Sequence, residues 1–346
     1  MKRWWYKHEG GGGIVPVEEA AWFQEGRDYH EDFAAIAEAP DSLILVRAKE
    51  LIEAVEERIH ANFNQPLQEA LTRRAGWLAA NALYIEPAYR AEYETVAIEH
   101  ELVLERGQLW IAVTPDRLGR RRSDSRLVYR DYKGVGGWGP GKSWMDHWPY
   151  AIQMHTVLKA IEEEFKEVPA FGQIMGLLKG QNRDGKLRHP YVWAYSNADF
   201  SEWEIDYYAA KRKGLTLAPV WEYPQGIFAW VERLGAEVAK EQFPFSAPIY
   251  LDERKLDELI ASRTRREKTV SVIEKSCHTN KTLRAIYFEP RFSQCLPDFG
   301  ASCPYLAACH NATINDNPLK SGLFAPRVPH HELEIIGKET PNEQDT

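Results

Sequence analysis

The spacing of apolar residues divides the chain into stretches of different period. AWFQEGRDYHEDFAAIAEA (21–39) reads as a turn glycine leading into a helix, with Tyr29, Phe33 and Ile36 at helical spacing. DSLILVRAKELIEAVEERIHANF (41–63) predicts a second helix, with Asp41 or Ser42 as its cap, and PLQEALTRRAGWLAANAL (66–83) a third. The period then changes. TVAIEHELVL (95–104) and QLWIAVTPD (108–116) are strand-like and separated by ERG, a hairpin signal, and RLVYRDYKG (126–134) is a further strand that runs into the glycine-rich GVGGWGPGK. WPYAIQMHTVLKAIEEEF (148–165) predicts a helix, followed by strands at FGQIMGLLKG (171–180) and PYVWAYS (190–196). From Ser201 onward helices dominate: 201–214, 226–242 and 252–276.

This order predicts an α/β or α+β protein: a mixed sheet flanked by helices, with a mostly helical C-terminal extension. Four stretches follow from it, a helical 1–95, a sheet-rich 96–200, a helical 201–325 and a polar tail at 326–346, integrated into one domain.

At 346 residues, with 44% hydrophobic and 27% charged residues, the chain is long enough for a sizeable core and ordinary for a soluble protein. It has no run of about eighteen apolar residues that would span a membrane. The N-terminal MKRWWYKHEGGGG is basic and aromatic without the apolar centre of a signal peptide, so a cytoplasmic location is expected. A net charge of -8 argues against indiscriminate coating of nucleic acid but leaves room for a local basic track. Arg117, Arg120, Arg121, Arg122, Arg126 and Arg130 form one cluster, Lys211, Arg212 and Lys213 another, and Arg263, Arg265 and Arg266 a third. Taken singly, each reads as a solvated loop or helix face. All four cysteines, Cys277, Cys295, Cys303 and Cys309, fall in the last quarter. Bunched in this way they read as ligands for a metal or cluster, with a disulfide pair as the weaker alternative.

The chemistry concentrates on 114–134. Along LVYRDYK, side chains alternate between faces, so Leu127, Tyr129, Asp131 and Lys133 share one face. Asp116 stands at a strand end, where a turn can aim it at the same space, and Glu99 and Glu101 lie on the other arm of the hairpin. Carboxylates converging from two strands suit a hard divalent cation such as Mg²⁺ or Mn²⁺. A neighbouring lysine can hold or deprotonate an attacking water or stabilise charge on a phosphate, as metal-assisted phosphodiester hydrolysis requires. His100, His147 and His155 read as structural, and His330 and His331 fall in the tail. Trp138, Trp144 and Trp148 either stack on unpaired bases or cap the core.

Pro115-Asp116 followed by Asp131-Tyr132-Lys133 resembles the signature of the PD-(D/E)XK nuclease superfamily. More narrowly, the chain resembles the RecB-like branch, which includes CRISPR-adaptation and phage-encoded exonucleases. The resemblance covers residues 2–310: the basic aromatic KRWWY, Gly26 and His30 at the branch's glycine–histidine spacing, Gln153 on the helix after the D-x-K strand, and the ending CLPDFGASCPYLAAC. It departs from the branch at Val113, where a glycine is common, at Val157, where a tyrosine is frequent, and in having no N-terminal cysteine, which leaves Cys277 to fill the fourth place.

The resemblance implies a restriction-endonuclease-like fold. It assigns His30, Asp116, Asp131 and the Tyr132 carbonyl to the metal, Lys133 to catalysis and Gln153 to positioning Lys133 or DNA. Glu101 is the additional acid, with Glu99 its competitor. Cys277, Cys295, Cys303 and Cys309 would hold a [4Fe–4S] cluster, with Zn²⁺ as the alternative, as a clasp for the C-terminal helices. The expected activity is that of a Mg²⁺- or Mn²⁺-dependent deoxyribonuclease, an exonuclease of recombination, repair or phage DNA metabolism. DNA is the expected partner, with a recombination or phage-replication protein beside it, in a bacterial or phage-infected cell. Two rivals stand beside this: a non-cleaving nucleic-acid-binding scaffold of the same fold, and a zinc-stabilised interaction protein.

The cysteine expectation has a direct test. Protein purified without oxygen is expected to be brown, to contain iron and sulfide, and to lose colour in air. Cys277→Ser is expected to lower cluster occupancy; full occupancy in that variant would place the fourth ligand elsewhere, and one zinc without sulfide would exclude the cluster.

Overall fold

A computed structural model describes residues 14–16, 21–106, 109–135, 148–179, 189–258, 260–262, 264–265, 318–321 and 324–326. The chain divides into two compact units, Glu25–Leu256 and, separately, Met1–Gln24 together with Asp257–Thr346. In the second of these, β1 (Ile14–Pro16) pairs antiparallel with Phe324–Pro326. No helix among the described residues is long and apolar enough to cross a membrane.

The larger unit is a mixed α/β structure with several small sheets. Helix α1 (Ala21–Glu38) is followed by α2 (Ile44–His60) and α3 (Gln65–Ala80). Gly26, expected in a turn, lies inside α1. The N-cap of α3 is Asn64, whose side chain accepts the Leu67 N–H at 3.1 Å, satisfying one of the donors a helix start leaves unpaired. A π-helical turn, Asn81–Ile85, then leads into the short α4 (Glu86–Glu92).

The main sheet has four strands in the order β2 (Tyr93–Ile98), β5 (Arg117–Arg121), β6 (Leu127–Val135), β7 (Phe171–Leu178). β2, β5 and β6 are antiparallel, and β6 and β7 are parallel. Helix α5 (Ile152–Phe165) connects the parallel pair, as such a crossover requires. β3 (Leu102–Arg106) and β4 (Leu109–Val113) form a separate ribbon, and β8 (Trp193–Ser196), β9 (Trp203–Glu204) and β10 (Thr216–Pro219) a three-stranded sheet. The short α6 (Tyr207–Lys213) precedes β10, and α7 (Gly226–Gln242) closes the core.

Two differences from the sequence expectation have physical causes. The strand expected over 95–104 breaks at Glu99, whose φ of 45° lies in the left-handed region, so β2 joins the main sheet and β3 the ribbon. The arginine-rich stretch expected as a solvated face is β5, an inner strand. There Arg117 is only 2% exposed, and its Nη1 and Nη2 donate to the two carboxylate oxygens of Glu86, the second at 2.9 Å. Burial alone would raise the Glu86 pKa, but Arg117 and Arg90 hold it below the usual carboxylate value.

The apolar core gathers Phe33, Trp77, Tyr191 and Trp230 from α1, α3, the segment before β8, and α7. Packing is tight enough that a Cβ on Gly76 would lie 2.4 Å from Tyr191, which accounts for glycine there. Beside it, Arg130 is 8% exposed and sits over the rings of Tyr89 (4.6 Å), Tyr93 (5.7 Å) and Phe245 (4.8 Å). No carboxylate among the described residues pairs with it.

The two buried arginines therefore differ in what they leave behind when removed. Arg117→Met strands part of the Glu86 charge and is expected to cost about 3–5 kcal/mol. Arg130→Met loses cation–π contact but also a buried charge, and is expected to fall within about 1 kcal/mol of the parent. Urea denaturation of both variants measures the difference; equal losses would mean that the aromatic box stabilises Arg130 as strongly as Glu86 stabilises Arg117.

Candidate metal centre

The site forms where β5 gives out beside β6. β5 begins at Arg117, paired with Arg130, so the Tyr132 N–H lies beyond the ladder between these strands. Asp116, one residue before β5, takes its place: Asp116 Oδ2 accepts the Tyr132 N–H at 2.6 Å. An orphan backbone donor and a carboxylate that is 7% exposed thus satisfy each other. The preceding Pro115 has no N–H to leave unpaired.

His30 reaches this carboxylate from α1. Its Nδ1 lies 3.4 Å from Asp116 Oδ2 and 3.6 Å from Glu99 Oε1. The ligand atoms of His30, Glu99 and Asp116 all lie within 4.8 Å of one another. Tyr29 steadies the imidazole: the two rings stack at 4.7 Å and 28°, while the Tyr29 hydroxyl accepts the Gly134 N–H at 2.9 Å. The left-handed backbone of Glu99 turns the chain at this point, and its N–H donates to the Asp116 carbonyl at 3.2 Å. An outlying φ at a candidate site is a local cost that the surrounding contacts hold in place.

On β6, alternation brings Tyr129, Asp131 and Lys133 into one row. The Tyr129 hydroxyl donates to Asp131 Oδ1 at 2.7 Å, and Lys133 Nζ lies 2.7 Å from Asp131 Oδ2. Lys133 is the partner of Oδ2 in this short ion pair, and no other donor reaches that oxygen among the described residues.

The electrostatics follow from crowding acids in a buried place. Burial, then the negative charge of Asp116, pushes the Asp131 carboxyl up to about 7. Burial acts the same way on Asp116, but the hydrogen bond and charge of His30, with Lys133, hold it below the usual value. Burial pulls His30 down, yet its bonds to Asp116 and Glu99 raise it to about 9. Lys133, also pulled down by burial, is raised by Asp131 and Asp116. The protein's own cations balance the acids here.

The residues fit a divalent ion. His30, Glu99 and Asp116 offer one imidazole nitrogen and two hard oxygens, while Asp131, paired with Lys133, stands outside this three-residue group. Such a donor set suits Mg²⁺ or Mn²⁺.

Of the residues singled out in the sequence, the fold joins His30 to Asp116, Asp116 to the Tyr132 backbone, and Asp131 to Lys133. Glu99, and not Glu101, stands in the His30–Asp116 group; Glu101 is exposed just before β3. Gln153 is exposed in the first turn of α5, with no hydrogen bond to Lys133 among the described residues. Cys277, Cys295, Cys303 and Cys309 lie outside the described residues, as do Trp138 and Trp144. The sequence placed Tyr29 on the apolar stripe of its helix and Tyr129 on the same strand face as Asp131, but neither was expected to have a part in the site.

Several members of the arginine cluster already have anionic partners. Arg120 pairs with Glu167 at 2.9 Å and Arg121 with Asp124, and Arg117 is held by Glu86. Lys211, Arg212 and Lys213 fill the last turn of α6, where positive charge suits the helix dipole.

Compared with protein-family models, with curated proteins and with solved structures, the chain matches none.

Titrating Mn²⁺ into single variants by calorimetry tests the grouping. Glu99→Ala and His30→Ala are each expected to lower affinity about tenfold or more, and Glu101→Ala to leave it unchanged. Equal losses in the two glutamate variants would dissolve the distinction drawn from their positions.

Proposed function

We propose that this chain is a metal-dependent deoxyribonuclease of the restriction-endonuclease-like fold, within the RecB-like branch that its sequence resembles. The observation that carries the reading is the convergence of His30, Glu99 and Asp116 next to the Asp131–Lys133 pair, bridged by the Asp116–Tyr132 hydrogen bond. Separate sequence segments, 30, 99, 116 and 131–133, supply these groups, which a chance D-x-K on an unrelated fold would not require.

His30, Glu99, Asp116 and Asp131 would hold a divalent ion. When bound, such an ion polarises a phosphodiester oxygen and makes water a stronger nucleophile at neutral pH. The chain's own residues do the rest. The Asp116 carboxylate is anchored by the Tyr132 N–H, so it needs no reorganisation when substrate arrives. Lys133, held beside Asp131, presents a fixed positive charge to the oxyanion that develops on phosphorus and a donor for the attacking water. The four cysteines would serve the fold as an iron–sulfur or zinc clasp, separate from this chemistry.

A second reading has its own support. His30 already closes the acid cluster with a proton, as a purely structural ion-pair network would. A non-cleaving DNA-binding scaffold is compatible with that arrangement.

End-labelled linear and circular DNA incubated with Mg²⁺ or Mn²⁺ separates the two. Metal-dependent loss of the linear substrate, with the circle spared, supports an exonuclease; binding without degradation of either supports the scaffold. Lys133→Ala is expected to lower the cleavage rate by about 10²-fold or more while Mn²⁺ affinity stays near that of the parent. Parental cleavage by pure Lys133→Ala protein would remove Lys133 from the mechanism.

A further inference from the structure

Tyr129 lies two residues before Asp131, on the same face of β6, and is fully buried. Its register partner on β7 is Gly172, where a Cβ would stand 2.8 Å from Met154 of α5 and 3.3 Å from the tyrosine ring. The absence of a side chain at 172 lets the ring pack between the sheet and α5, with its hydroxyl aimed along the strand. That hydroxyl donates to Asp131 Oδ1 at 2.7 Å. The other oxygen, Oδ2, is buried, and its partner among the described residues is Lys133 Nζ at 2.7 Å.

One carboxylate thus has two oxygens in different states. A carboxylate without the tyrosine would rotate broadly about its terminal torsion and present either oxygen, or both, to the space beside Lys133. With Oδ1 committed to a neutral donor, the rotation is fixed and one oxygen is left for a cation. Buried carboxylates that bind ions rely on such outer partners for orientation.

We propose that Tyr129 is a positioning residue, whose hydroxyl fixes the Asp131 carboxylate so that Oδ2 alone faces a divalent ion and Lys133. This rests on the metal-site reading given under Proposed function. It assigns the residue a task that its burial alone does not, since a phenylalanine would fill the same space.

The test is calorimetric titration with Mn²⁺ alone, paired with thermal unfolding in the absence of metal. Tyr129→Phe is expected to lower Mn²⁺ affinity about 10- to 100-fold with little change in melting temperature. Parental Mn²⁺ affinity in that variant overturns the proposal, whatever happens to its stability. Asp131→Ala distinguishes this failure from failure of the metal site itself. If Asp131→Ala loses Mn²⁺ while Tyr129→Phe keeps it, the site stands and the positioning role falls. If Asp131→Ala binds Mn²⁺ as the parent does, the site itself falls.

The double variant Tyr129→Phe/Asp131→Ala closes the cycle. Because the hydroxyl acts only through the carboxylate, the double variant is expected to bind Mn²⁺ no worse than Asp131→Ala; a further loss would mean that Tyr129 acts elsewhere and overturns the proposal. Should Tyr129→Phe not fold, the double variant still decides. Folding restored by removing the stranded carboxylate supports the link to Asp131, and failure of both variants makes Tyr129 a packing residue.

Discussion

The buried Arg90–Glu86–Arg117 network is the constraint on which the candidate site depends. Arg117 donates to Glu86 and, at 2.7 Å, to Thr95 Oγ1 of β2, and its guanidinium lies 3.7 Å over the Tyr89 ring. These contacts fix the start of β5 against β2 and α4. Asp116 is the next residue back, so the point where it leaves the ladder is fixed as well. On the other side of Glu86, Arg90 donates to the carbonyls of Ile36 (3.2 Å), Ala37 (2.9 Å) and Ala39 (2.8 Å) at the end of α1. Carbonyls at a helix C-terminus lack the next turn's donors, and that of Ile36 also accepts the Ala39 N–H at 3.3 Å. One buried carboxylate therefore ties the helix that carries His30 to the strand that follows Asp116. Taking these charges from water is costly, and the network tolerates it because its acceptors and donors are matched.

With these elements held, the acids cannot separate to relieve their repulsion. Asp116, Asp131 and Glu99 are brought near one another by backbone geometry, and the strain appears as opposed protonation tendencies in neighbouring groups. Asp131 is driven toward its neutral form while Asp116 is kept charged by His30 and Lys133. Divergent tendencies in adjacent carboxyls mark places where charge is concentrated for use, although structural ion pairs produce them too.

How much of this was legible in the sequence depends on whether a residue acts through periodicity or through a particular backbone angle. The helix at 226–242 was legible because its apolar spacing survives even a local break at Gly235, where φ is 81°. The row Tyr129–Asp131–Lys133 was legible by alternation. The break between β2 and β3 was not, because it turns on one left-handed residue, Glu99, in a stretch whose composition favours strand. That angle also decides between Glu99 and Glu101. β5 was hidden for a different reason: arginine usually marks the surface, and only Glu86, 31 residues away, makes Arg117 an inward residue. Long-range charge pairing leaves no local trace in a sequence.

The parity of β6 joins these observations. Successive side chains of a strand face opposite ways, and here the two faces have been given different work. Arg130 and Tyr132 point toward the aromatic and apolar packing that holds the unit together: Arg130 over Tyr89 and Phe245, Tyr132 against Phe33 at 5.4 Å. Tyr129, Asp131 and Lys133 point the other way and meet one another. The backbone between them serves both, since the Tyr132 N–H that holds Asp116 belongs to a residue whose ring is in the core. A one-residue slip of β6 would therefore exchange core and site at once. The register is guarded by pairing on both sides, with Arg117 opposite Arg130 on β5 and Met175 opposite Tyr132 on β7. Fixing the hydrophobic register thus fixes the charged one, and the stability of the fold and the geometry of the site become the same requirement.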